Sequence, residues 1–105
     1  MADPMKIRAR RLEAPTGAVI KVLMSHPMET GQRKDEDGHV VPAWFIQTVQ
    51  VRWNDQTVLT ADWGPAISKN PFLQLELPAA IPGDRISVTW RDSRGDTRTD
   101  EVQVT

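Results

Sequence analysis

Along most of the chain apolar and polar residues alternate with a period of two. That is the repeat of a half-buried strand, not the 3.6-residue stripe of a helix. Met5–Leu12 sets Ile7 and Ala9 against Lys6, Arg8 and Arg10, and predicts a first strand with one face in water. Ala18–Ser25 (AVIKVLMS) predicts a second, bounded by Pro15-Thr16-Gly17 on one side and Pro27 on the other. Ala43–Trp53 is the longest run. Phe45, Val49, Val51 and Trp53 fall mostly on one of its faces, and Trp44, Ile46, Thr48 and Arg52 on the other. Asn54-Asp55 predicts a tight hairpin turn into Thr57–Trp63, where Leu59, Ala61 and Trp63 share a side. Phe72–Leu77 alternates cleanly up to Pro78, and Arg85–Arg91 with Arg98–Val104 predicts a last hairpin around Asp92-Ser93-Arg94-Gly95.

Short strands at regular spacing, separated by Gly/Pro turns, predict an all-β fold: an immunoglobulin-like antiparallel β-sandwich of about seven strands. The 105 residues allow one such domain, spanning the whole of 1–105. Trp53, Trp63 and Trp90 are the expected large core residues. One segment exceeds the needs of a minimal sandwich. Residues 25–42 form a long polar excursion with a charge run at Arg33–Asp37, and Asp37-Gly38 predicts a protruding hairpin with a solvated tip.

Charge and cysteine narrow the function. Thirteen Lys+Arg against fourteen Asp+Glu give a net charge of −1, which argues against a dedicated nucleic-acid binder. The absence of cysteine excludes a disulfide framework, a thiolate metal site and a cysteine nucleophile, so any thiol chemistry must come from another chain. The longest apolar stretch near the N-terminus, Ala18–Met24, is interrupted by Lys21 and is too short to span a membrane. Arg10-Arg11 invites comparison with a twin-arginine export signal, but Glu13, Pro15 and Gly17 stand where its apolar region should begin, so no export signal is read.

The groups capable of chemistry are few. A triad assembled from Ser25, His26 and Asp35 is poorly placed, because neighbouring strand residues face opposite ways. The chain is therefore not read as an enzyme. His26-Pro27-Met28, with Met24 and His39, offers imidazole and thioether donors that suit copper; a small copper-binding sandwich using His26 and Met28 is the alternative function. Methionine more commonly fills a core or an interface, so no metal or other cofactor is expected. Trp44 falls opposite Phe45 and Trp53, which makes it either a partner-binding patch or a contact in the second sheet.

Three ordered blocks resemble a known family. Ser25-His26-Pro27-Met28-Glu29-Thr30-Gly31 with Arg33-Lys34-Asp35, the run from Leu59 to Pro71 (LTADWGPAISKNP), and Val88–Asp92 continuing through Gly95–Glu101 are similar to SoxZ, a family of subunits of the bacterial sulfur-oxidation (Sox) system. The resemblance extends from about Lys6 to Val104. It implies an immunoglobulin-like sandwich that pairs with SoxY, a partner whose C-terminal cysteine arm carries thiosulfate-derived sulfur between Sox enzymes. It also implies a non-catalytic chain, located in the periplasm and exported with its partner. Transient contacts with other Sox enzymes are expected, as is self-association of the isolated chain. The family brings no catalytic residues, so the site becomes an interface: His26, Met28, Trp44, Phe45, Ile67 and Phe72 are the candidates, chosen for their concentration of Met, Pro and aromatic residues in polar excursions.

Overall fold

The computed structural model describes residues 2–105 and contains seven strands: β1 (Lys6–Arg11), β2 (Ala18–Leu23), β3 (Ile46–Trp53), β4 (Gln56–Asp62), β5 (Phe72–Leu77), β6 (Arg85–Asp92) and β7 (Thr97–Gln103). They form a three-stranded sheet ordered β1-β2-β5 and a four-stranded sheet ordered β4-β3-β6-β7, with every pairing antiparallel. No helix is present among the described residues. In a constant-type immunoglobulin sandwich the fourth strand lies in the first sheet. Here the Asn54-Asp55 turn returns β4 directly onto β3. Both turn residues have positive φ, 48° and 68°, as a two-residue hairpin of right-handed twist requires.

The alternation that predicts the strands also builds the core. Ile20 and Val22 from the first sheet face Val49, Val51, Ile86 and Val88 from the second, all fully buried. Trp90 is the largest buried side chain, whereas Trp53 and Trp63 lie half-buried against the core. Trp53 also ties the far end of the sandwich together, its Nε1–H donating to Asp84 Oδ2 at 2.8 Å.

Ile46 departs from the expected pattern. Strict alternation from Phe45 would turn it away from Val49, yet both are fully buried. The pairing of β3 with β6 slips one residue between Ile46 and Thr48, a β-bulge at Gln47. The extra residue resets the pleat and returns Ile46 to the core. Ala43–Phe45 therefore precede the strand, as the return limb of the excursion. That excursion is a loose hairpin held by isolated bridges, Glu29 to Trp44 at its base and Lys34 to Val40 near its tip. Asp35 Oδ1 closes the tip by accepting from the backbone N–H groups of Asp37 and His39.

Candidate functional site

Four segments meet at one end of the sandwich: the residues before β1, the base of the 25–42 excursion, the β4–β5 connection and the β6–β7 turn. Asp92 organises them. It closes β6 with only 1 % of the residue exposed, and a buried carboxylate is tolerable only when its oxygens are hydrogen-bonded. Oδ1 accepts from the N–H groups of Arg94 and Asp96, each at 3.0 Å, which shapes the turn. Oδ2 accepts from His26 Nε2–H at 3.0 Å and from Trp44 Nε1–H at 2.6 Å, which fastens the excursion to β6. Burial by itself raises the pKa of this carboxyl. The bonds from His26, Trp44 and the two amides outweigh that effect, so it stays ionised below the ordinary carboxylate range.

His26 is committed on both ring nitrogens. Nδ1 accepts from the Met28 N–H at 3.1 Å, which assigns the proton to Nε2 and directs it at Asp92. The same bond holds Met28 at φ 49°, a left-handed conformation that a methionine rarely adopts. Met28 Sδ in turn accepts from the Ile46 N–H at 3.3 Å. At His26 and Met28 neither an imidazole lone pair nor an unengaged thioether faces water for a copper ion, and His39, whose ring is exposed, stands at the hairpin tip beside Asp35. The Ser25–His26–Asp35 arrangement is not assembled either: the acid beside His26 is Asp92, and Asp35 closes the distant hairpin tip.

The interface candidates separate by depth. His26 and Met28 are 3 % and 4 % exposed, so they lie almost wholly beneath the surface. The cause is the Asp92 cluster, which pulls the base of the excursion inward. Trp44 is half-buried, with its N–H turned in to Asp92 and its ring stacked under the Arg94 guanidinium at 4.1 Å. Its N–H thus makes the inward contact with the second sheet, while its ring stays part-exposed beneath Arg94. Phe45 and Ile67 are half-buried against the core, and Phe72 is 58 % exposed. Phe72 pairs across the sheet with Leu23, which is 42 % exposed, so the two form an apolar step at this end.

Between these segments opens a cleft of about 430 Å³, whose wall includes His26, Trp44, Lys69, Asn70, Trp90 and Arg94. Asn70 joins its sides, accepting from the His26 N–H through Oδ1 while its own N–H donates to the His26 carbonyl. Asp92 and Leu23 were absent from the sequence-based candidates. Asp92 had a readable signal, since Asp-Ser-Arg-Gly at a hairpin favours a side chain that caps its own turn. Leu23 had none, because alternation alone does not say which outward residues lack cover.

The family model described as "Sulphur oxidation protein SoxZ" matches residues 7–103. No curated protein matches the chain.

Proposed function

The chain belongs to the SoxZ family and is a subunit of the sulfur-oxidation system; from that premise we propose that it is the non-catalytic half of a sulfur-compound carrier. Its partner is a SoxY-like chain whose C-terminal cysteine arm holds the sulfur intermediates and presents them to the oxidising and hydrolysing enzymes. The observation that carries this reading is the closure of the one buried acid–imidazole pair among the described residues. Asp92 and His26 have no free lone pair or labile proton directed at a ligand, since all their polar contacts hold loops. With no cysteine in the sequence, the covalent chemistry falls to the partner.

The partner sits on the loop end. Trp44 with Arg94 on loops braced from beneath, and Phe72 with Leu23 at the adjoining strand ends, offer an aromatic and apolar surface, the arrangement expected of interface anchors. Phe45 and Ile67 back this surface. Without its partner, the exposed Leu23–Phe72 step favours self-association. The pair works in the periplasm, reached on the partner's export signal; cell fractionation checks this location.

Co-expression with the cysteine-bearing chain, followed by size exclusion and intact mass, tests the proposal. A stable one-to-one complex with sulfur adducts on the partner alone is expected. Failure to associate in either redox state would overturn it.

A further inference from the structure

Cross-strand register places three rows of side chains on the outer face of the three-stranded sheet. From the loop end they are Lys6, Leu23 and Phe72; then Arg8, Lys21 and Gln74; then Arg10, Val19 and Glu76. The first two rows and Arg10 thus bring Lys6, Arg8, Arg10 and Lys21 onto one face, against the single acid Glu76. Arg8, Arg10 and Lys21, with Arg11 from the strand end, line a shallow depression of about 220 Å³. Among the described residues none of these five cations forms an ion pair, although Arg33, Arg85 and Arg98 each do. In a chain of net charge −1, this concentration leaves the remainder net acidic.

We infer that this face is a docking surface for an acidic patch on another protein, engaged transiently. Size decides between a transient and a permanent contact. Three six-residue strands present roughly 20 by 15 Å, about 300 Å², well under the ~800 Å² per partner of a stable interface. A small, unpaired cationic face acts mainly on encounter, steering an oppositely charged surface and raising its association rate. The same size argues against nucleic acid, for which even single modules bury ~600 Å² or more. The one aromatic on this face, Phe72, stands in its end row beside Leu23 and away from Arg8, Arg10 and Lys21, where a single ring gives no run of stacking platforms, and Glu76 would oppose phosphates. The face adjoins the loop end at Lys6 and Phe72. On the functional reading above, from which the identity of the visitors follows, it guides the paired carrier onto the enzymes that process its cargo.

The test uses fluorescent poly-L-glutamate as the acidic polypeptide, with the purified chain at low and moderate salt. Binding that weakens ~10-fold between 20 and 200 mM NaCl is expected, with a loss of similar size in the combined variant Arg8→Glu, Arg10→Glu, Lys21→Glu. The control variant Arg52→Glu, Arg91→Glu, on the outer face of the other sheet, retains binding. Absent binding, or equal loss in both variants, would overturn the inference. So would tighter binding of a 20-base-pair DNA duplex or of phosphatidylglycerol vesicles, which would make the occupant a nucleic acid or a membrane. Pairing with the cysteine-bearing chain is expected to survive the triple reversal. Its loss would make this face the permanent interface and overturn transient docking, whereas a wild-type chain that never pairs would contradict the functional reading and leave the poly-L-glutamate result standing.

Discussion

Asp92 lies buried with four donors around its two oxygens, whereas Lys6, Arg8, Arg10 and Lys21 stand on the outer face of the three-stranded sheet without an ion partner. One charge is surrounded by groups that need it; the others face water and any acidic surface that arrives. The outer face of the four-stranded sheet makes a useful third point. It carries Thr48, Gln50, Thr60, Thr89 and Thr99, with Asp62, Arg52, Arg91 and Glu101 of both signs interspersed, and Thr89 and Thr99 share a hydroxyl hydrogen bond at 2.8 Å. The charges on that face balance, two of each sign. Buried charge in this molecule therefore sets structure, and a surface excess of one sign is what is left for recognition. Substitutions at the first should change stability and those at the second should change binding.

The largest effect is expected at Asp92. Asp92→Ala removes the acceptor of four N–H groups, two of them on the His26 and Trp44 side chains, and should cost about 4 kcal/mol in urea denaturation. A loss below about 1 kcal/mol would mean that water replaces the carboxylate, and the contrast would fail. Met28→Ala comes next, at about 2 to 3 kcal/mol, because it empties a buried site beneath the excursion. Were Met28 a surface anchor instead, the same change would leave stability alone and weaken pairing.

Acid sharpens the comparison further. Asp92, Asp84 and Asp100 all have folded pKa values below the ordinary carboxylate range. Asp92 is lowered by its hydrogen bonds against the opposing effect of burial, Asp84 by the Ile81 N–H with Asn54 and Trp53, and Asp100 chiefly by Arg98. Groups lowered in this sense contribute stability above their unfolded value of about 3.9 and lose it as pH falls through the folded value. Stability is thus expected to hold from pH 7 to about 5 and to decline below about 4, with a shallower decline in Asp92→Asn. An unchanged acid profile in that variant would remove Asp92 from the account. The smallest stability effect belongs to the cation face. Arg8→Glu with Lys21→Glu should alter unfolding by no more than about 0.5 kcal/mol while lowering affinity for acidic polypeptide.

Period-two alternation made the strands legible, and Phe72–Leu77 is found with the predicted boundaries. It misplaced Ile46 because a bulge adds one residue without changing composition, and the single slip at Gln47 reverses the facing of what precedes it. The site was less readable. His26 and Met28 stood out in the sequence as residues of unusual chemistry, but their depth depends on Asp92, which lies 66 residues away from His26 along the chain. The cation face was hidden for a related reason. Lys6, Arg8 and Arg10 look like the ordinary wet side of one strand until the register sets Lys21 beside Arg8, and overall charge balance conceals local excess.

The central claim is that the loop end receives the partner on surfaces fixed from beneath by Asp92. Trp44 and Trp53 provide a matched pair of probes, because each donates its indole N–H to an aspartate, Asp92 at the loop end and Asp84 at the opposite end. An amide-proton NMR titration of the labelled chain with the cysteine-bearing partner reads both resonances in one spectrum. The Trp44 indole signal is expected to shift on complex formation and the Trp53 signal to stay in place. Movement of Trp53 with Trp44 unchanged would put the partner at the wrong end of the sandwich and contradict the account.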